Sequence, residues 1–441
     1  MESLLMSLAI IDSLPTDWSM PLALILFIIT YVGLLFLSKY RAYVALGSAL
    51  IYIILGYLPI NEIFSAIDWN VIMMIAGTMG LVAIFIESKM PALLADKIIE
   101  KSPNLKVAII ALSVFAAVIS AFVDNVATVL MVAPIAITIS RKLKISPVPA
   151  IIAIAIGSNL EGAATLVGDT TSILLGSAND MNFFDFFFYE GKPGLFFIVQ
   201  LGLVAATAVL FVIFRKQKEQ VSITEMTVVT DYVPTYLMLG VIVCLIIASF
   251  IPGTPRNING YICMALMVIG IIYRIIRTNS LKAVVKVAKE IDFFTLFLLA
   301  GLFMVIQSIS NAGVITAIAN GIASISGGNV FVIYTIIVFL SVILSAFIDN
   351  IPYVATMLKV IAGIAVTVGL DNPTVLFFGL LIGATLGGNM TPIGASANIT
   401  GIGILRKEGY EVKPWTFMKI GIPYTLAAVL TGYIMVWIIF G

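Results

Sequence analysis

Apolar stretches of about twenty residues, each long enough to cross a bilayer, recur along almost the whole chain and constrain its fold more than any other feature. Inside a bilayer every backbone amide and carbonyl must be bonded within the protein, so such stretches are committed to helix. Hydropathy and breaker residues place spans near 20–38, 41–58, 69–87, 148–178, 193–214, 235–251, 258–276, 291–307, 374–404 and 419–440. Two further apolar regions, 106–140 and 329–370, each hold two helical legs that meet at an Asp-Asn pair. Of the 441 residues 61% are hydrophobic and only 11% charged, and mean hydropathy is +1.14. A soluble domain of that composition lacks the polar surface to cover its core, so the chain reads as an all-α polytopic membrane protein. Residues 1–20 carry Glu2, Asp12 and Asp17 and show no basic segment with a cleavage site, so no signal peptide is expected.

Composition also excludes several chemistries. The chain has no histidine, so proton handling falls to carboxylates. Its two cysteines, Cys244 and Cys263, sit in apolar stretches and cannot build a thiolate cage. No basic tract suggests nucleic acid, no nucleotide-binding motif is present, and no cofactor is expected.

Charge sets the expected orientation. With the N-terminus outside, 21 of the 24 Lys and Arg fall in inside loops, and only Lys192, Arg256 and Lys359 fall elsewhere. Both termini are then outside a plasma (inner) membrane. Trp18, Trp69 and Trp415 lie near span ends, where interfacial anchors belong. Residues 90–103 read as an amphipathic helix on the inner surface.

The chain repeats itself. "SAFVDN" (120–125) returns as "SAFIDN" (345–350), "IGSNLEGAATLVGD" (156–169) as "IGATLGGNMTPIGA" (382–395), and "IDWNVIMMIAG" (67–77) as "IDFFTLFLLAG" (291–301). The three offsets, 225, 226 and 224, are nearly constant, which points to a duplicated half. The expected division is a first repeat over 1–214, a cytoplasmic linker over 215–234 and a second repeat over 235–441. An odd number of crossings per half, five if the Asp-Asn regions are re-entrant, makes the second repeat inverted. Inverted repeats with broken helices typify secondary transporters, whose site lies near the midplane.

Two places in each half are irregular. One is the Asp-Asn tip. The other is a Gly- and Thr-rich stretch, with Gly157, Gly162, Thr165 and Gly168 in the first half and Gly383, Gly387, Gly388, Thr391, Pro392 and Gly394 in the second. Irregular backbone at membrane depth belongs where it lines a cavity or is buried in protein. Asp124, Asn125, Thr165 and their mates are also good helix N-caps. Capping alone does not account for an ionisable group there, because an unpaired carboxylate costs on the order of 3 kcal/mol and asparagine or serine caps more cheaply. The first half carries Asp124, Glu161 and Asp169; the second keeps Asp349 but has Gly387 and Ala395 in place of the other two. Lys359 follows the second tip by nine residues, with a snorkelling or acid-pairing role open to it. No arginine is placed near this acid-rich centre, which suits Na⁺ or H⁺, although helix N-termini and side-chain amides also suit an anion. Gln307 and Asn311 close a span and read as packing or solvent-facing residues.

At these motifs the chain resembles a known family. "SAFVDNVATVLMVAP", "EGAATLVGD", "LSAFIDNIPYVATM" and "GGNMTPIGASAN" are similar to signatures of the arsenite pump and melanosomal P-protein permeases, which belong to the ion transporter superfamily with its citrate-transporter-like domain. The resemblance covers nearly the whole chain. It implies a homodimer in which a scaffold domain supports an elevator-type transport domain of two re-entrant hairpins and two broken helices. Asp124-Asn125 and Asp349-Asn350 correspond to the hairpin tips, and Gly162–Ser172 and Gly388–Asn398 to the breaks. Sodium sites are then expected near Asp124, Asn125 and Gly162 and near Asp349, Asn350 and Gly388, with substrate between them. The implied set adds Thr128, Glu161, Thr165, Asp169, Thr170, Asn389, Thr391, Ser396 and Asn398. The chain departs from its relatives in two places. Gly168, Asp169, Thr170, Thr171 and Ser172 stand where they often have Gly-Asp-Pro-Pro-Asn, and Lys359 stands where they usually have proline, as its mate Pro134 still does.

The expected function is ion-coupled (Na⁺ or H⁺) secondary transport of a small ion or a small anionic or oxyacid solute, with Na⁺/H⁺ antiport as an alternative. A channel is the second class, and would need a continuous polar pore. An intramembrane aspartyl enzyme using Asp124 and Asp349 is the third; no serine–base pair is apparent.

Overall fold

A computed structural model describes residues 16–221 and 226–441. Glu2, Asp12 and the middle of the 215–234 linker lie outside the described residues, as do the side chains of Asp17 and Trp18. Twenty α-helices run through the described chain. In the first half they are α1 (Thr16–Phe36), α2 (Arg41–Ile54), the single turn α3 (Ile63–Ala66), α4 (Trp69–Glu87), α5 (Met90–Glu100), α6 (Leu105–Ser120), α7 (Asn125–Leu143), α8 (Val148–Glu161), α9 (Thr170–Ala178) and α10 (Leu195–Ile213). In the second they are α11 (Val233–Ser249), α12 (Ile258–Thr278), α13 (Lys282–Glu290), α14 (Phe293–Asn311), α15 (Val314–Ser326), α16 (Val330–Ser345), α17 (Asn350–Val368), α18 (Thr374–Gly387), α19 (Ser396–Lys407) and α20 (Pro414–Phe440). A two-residue antiparallel ladder, with Phe188 opposite Pro193, folds the α9–α10 connection.

Apart from α3 and α13, every helix of one half has a mate in the other, in the same order. The packing repeats in the same way. Helix α4 lies along α12 while α2 lies along α14, so each half lends a helix to the other. Helices α6 and α16 run against α8 and α18 within their own halves. Glycine permits that approach: a Cβ at Gly157 would meet the Ser113 carbonyl oxygen at 2.7 Å, and one at its mate Gly383 the Val338 carbonyl oxygen at 2.5 Å.

The two Asp-Asn regions are helix pairs that turn at their tips, α6–α7 and α16–α17. Spans 148–178 and 374–404 are each broken, into α8 with α9 and α18 with α19, because the Gly-rich stretches cannot sustain the ladder. Then α9 packs on α17 and α19 on α7, so each tip faces the broken helix of the opposite half as well as its own. Among the described residues eight helices are long and apolar enough to cross a membrane. Helix α5 supplies the amphipathic segment read at 90–103. Its mate α15 was not anticipated from the sequence; it meets α16 at 117° across the glycines at 327 and 328. Trp69 opens α4 with its indole donating to the Phe64 carbonyl, and Trp415 is 62% exposed at the start of α20. Gln307 and Asn311 are tied together and to the Tyr57 carbonyl.

Candidate functional site

Each tip begins a helix that its own aspartate caps. Asp124 Oδ1 accepts from the amides of Val126 (3.0 Å) and Ala127 (3.1 Å), and Asp349 Oδ1 accepts from that of Ile351 (3.0 Å). The capping role is therefore real, and it leaves the second oxygen of each carboxylate free for other partners. The breaks are fastened to the tips by mated contacts. The Thr165 hydroxyl donates to the Ala121 carbonyl, and the Thr391 hydroxyl to the Ala346 carbonyl. Gly168 and Gly394 sit where these chains touch, and a Cβ at Gly394 would meet the Gly388 and Ser345 carbonyl oxygens at 2.5 and 2.8 Å.

Asparagine and serine divide the remaining work. Asn398 Nδ2 donates to the carbonyls of Gly388 and Thr391, both at 3.0 Å, and so staples the second break across its loop. Its mate Ser172 makes the equivalent of the first bond, to the Gly162 carbonyl at 2.9 Å. The shorter side chain closes one strand of the staple only. Asp169 takes up part of that role, accepting from the Thr170 amide and the Thr171 hydroxyl, both at 2.8 Å. At the centre the halves are joined by amides: Asn125 Nδ2 donates to Asn159 Oδ1 (3.0 Å), whose Nδ2 reaches the Thr385 carbonyl (2.8 Å) and Asn389 Oδ1 (3.1 Å). Asn389 in turn donates to the Ile156 carbonyl at 2.9 Å.

These elements surround a cavity of about 210 Å³. Asp124, Asn125, Asp169, Thr170, Asp349, Asn350 and Ser396 line it. Thr128, Glu161, Gly162, Thr165, Gly388, Asn389, Thr391 and Asn398 do not. Most of these hold the breaks in shape behind the lining. Glu161 is a correction: it turns away from the cavity to α10, where its carboxylate accepts from Gln200 Nε2 at 2.5 Å, with its other oxygen buried and unpartnered. The Thr128 hydroxyl and Asn398 Oδ1 are also buried without a partner among the described residues.

Three features were missed from the sequence. Asn159 sits at the hub of the amide network and lines the cavity, although it lies inside the quoted repeat opposite Thr385. Glu290 and Asp292 bring two more carboxylates to the cavity mouth, Asp292 also capping α14 through the Thr295 amide at 3.1 Å. The third is a second correction. An arginine does reach the acid-rich centre: Arg41 Nη1 bonds Asp349 Oδ2 at 2.7 Å, and its Nε donates to the Leu34 carbonyl at 3.0 Å. Arg41 lies 308 residues from Asp349, so only the fold brings them together. Beside it the Tyr31 hydroxyl donates to the Pro352 carbonyl at 2.7 Å and bonds the Thr356 hydroxyl, which docks the second hairpin on α1 and α2. Among the described residues Asp124 has no such cation. Among the described residues no group of three or more Asp, Glu, Cys or His is placed to chelate a metal.

Two broken helices and two capped tips closing on one polar cavity within a bundle of spanning helices define a membrane transporter. The chain belongs to the CitMHS citrate transporter family, which it matches over residues 22–383. An uncharacterized transporter of Mycobacterium bovis is 30% identical over 428 residues, covering 94% of this chain and 97% of that protein. The human P protein is 25% identical over 456 residues, covering 85% of this chain and 54% of its own length, consistent with the ion transporter superfamily. Among solved structures the YdaH transporter of Alcanivorax borkumensis, described as having an unusual topology, shares the fold with a TM-score of 0.58 at 14% identity, covering 86% of this chain and 87% of that one.

Proposed function

We propose that this transporter is an ion-coupled secondary carrier of the plasma membrane, with Na⁺ or H⁺ as the coupling ion and a small ion or small anionic or oxyacid solute as cargo. It works by an elevator-type alternating access, with both termini outside. The observation that carries the reading is the convergence of both tips and both breaks on one cavity that binding groups from the two halves share. The hairpins and broken helices form the moving part, and α1, α2, α4, α11, α12 and α14 the scaffold, through which two copies pair. A cation on Asp124 neutralises the tip while it moves, because a bare carboxylate at membrane depth costs on the order of 3 kcal/mol. On the second tip the guanidinium of Arg41 already supplies that charge in the conformation described.

A second reading, Na⁺/H⁺ exchange, is favoured by the lining itself. Asp124, Asp169, Glu290, Asp292 and Asp349 face the cavity with no basic residue among them, which suits a cation as cargo or as the companion of an anion. Flux in proteoliposomes tests both readings, with Na⁺ and pH gradients imposed separately against citrate and a panel of small anions. Gradient-driven, saturable uptake of an anion supports the first, and Na⁺-driven proton movement without any anion the second. Non-saturable downhill flux alone sinks both. A monomer by native mass spectrometry in mild detergent, at all protein concentrations, removes the dimer.

A further inference from the structure

The polar cavity has a counterpart, and the two differ in charge. A second cavity of about 430 Å³ is lined by Phe303, Ile306 and Gln307 of α14, the mates of Met79, Val82 and Ala83 that line the first. Asp68, which caps α4, stands in it where Asp292, which caps α14, stands in the other. The first cavity takes the C-terminal part of α4 and the start of α14; the second takes the start of α4 and the C-terminal part of α14. They therefore open at opposite ends of the bundle, related by the internal repeat. The charged residues that line the first are all carboxylates, with Arg41 behind Asp349, whereas the second contains Lys359 and Arg256 against the single acid Asp68.

Lys359 is the middle residue of the 19-residue span Asn350–Val368 and is exposed, although the residues on either side of it, Leu358 and Val360, are buried. An ammonium at that depth needs water or a partner. Among the described residues Lys359 has no hydrogen bond and no ion pair. Asp68 makes no ion pair with it; its oxygens accept from the Val71 amide (3.2 Å) and the Ser177 hydroxyl (2.5 Å). Arg256 is held loosely, 3.5 Å from the largely exposed Asp180. We propose that this cavity is a binding vestibule for a small soluble anion of the carboxylate or oxyanion class, with the Lys359 ammonium as its principal contact and Arg256 at its rim. The site is distinct from the acidic cavity, and it does not depend on which ion drives transport.

The test needs no transport assay. Ala362 lines the same cavity one turn beyond Lys359. In a Cys244→Ser, Cys263→Ala background, Ala362→Cys is treated with anionic and cationic methanethiosulfonates in phosphatidylcholine liposomes. With Lys359 present, the anionic reagent is expected to react about tenfold faster relative to the cationic one than it does with a free thiol, as a unit charge one helical turn away in water dictates. Added sulfate, phosphate or citrate should slow that reaction. Lys359→Gln should abolish both the preference and the protection, and Lys359→Arg should keep them. Equal rates for the two reagents, protection that survives Lys359→Gln, or a thiol that neither reagent reaches would each overturn the proposal. Where Lys359→Gln fails to fold, Lys359→Met, which keeps the apolar stem without the charge, takes its place in that arm and is held to the same expectation. Loss of ion coupling elsewhere leaves this result unchanged, so the two readings fail separately.

Discussion

Removing Arg41 should expose what the second tip costs. Its guanidinium and the Asp349 carboxylate are 2.7 Å apart, and their side chains are 17% and 15% exposed. Fully exposed pairs couple by roughly 0–1 kcal/mol, whereas breaking a buried pair costs about 3–5 kcal/mol. This pair is mostly dry, so a coupling of about 2 kcal/mol is expected, roughly a thirtyfold change in an equilibrium. Arg41→Gln leaves an uncompensated carboxylate, and Asp349→Asn leaves an uncompensated guanidinium while keeping the cap on Ile351. Each single variant should lose about 2 kcal/mol of stability, and the double variant should be no worse than either. Arg41→Lys should fall between, because it retains charge but loses the second donor that reaches the Leu34 carbonyl. The assay is the unfolding midpoint in mixed micelles at rising SDS, read by tryptophan fluorescence for all four corners of the cycle. If the two single effects add to within about 0.5 kcal/mol in the double variant, the residues do not couple and the assignment of Arg41 as the counter-charge of the tip is wrong.

Other outcomes follow from the same geometry. Asp124→Asn keeps the cap and the shape, so it should insert normally yet lose gradient-driven exchange in proteoliposomes. It should do so more completely than Asp349→Asn, because no arginine stands in for a cation at the first tip; equal retention by both variants would make the aspartates caps alone. Gly394→Ala drives a methyl into three backbone carbonyls and should cost about 1–3 kcal/mol in the same unfolding assay, whereas Gly321→Ala, with nothing within 4 Å, should be neutral or slightly stabilising. Cysteines at Lys144 and Asp185, in a background lacking Cys244 and Cys263, should label from opposite sides of the membrane. Labelling of both from one side contradicts the inverted arrangement.

What the sequence could and could not disclose follows from the range of the interactions. Helices, tips and breaks were legible because their signals are local: an apolar run, an aspartate before a helix, a cluster of glycines. Their pairing was legible too, because the duplication wrote each signal twice at one spacing. The direction of a side chain around a helix was less so. Glu161 ends α8 one residue before the break, and as an acid beside a glycine it reads as a ligand. A helix has more than one face, however, and this glutamate turns to Gln200 on α10, a partner 39 residues away. Asn159 two residues earlier turns the other way and joins the halves. The contact least accessible to sequence reasoning is Arg41 with Asp349. By loop charge Arg41 is one of many interfacial basics, and nothing local distinguishes it from Lys39. It becomes part of the site only because the second hairpin lies against the start of α2, and that relation is set by how one part of the molecule sits on another. If the hairpins move relative to α1 and α2, this pair must separate along with the Tyr31 bonds to Pro352 and Thr356, so the residue least visible in the sequence is also one whose pairing reports on the conformation described.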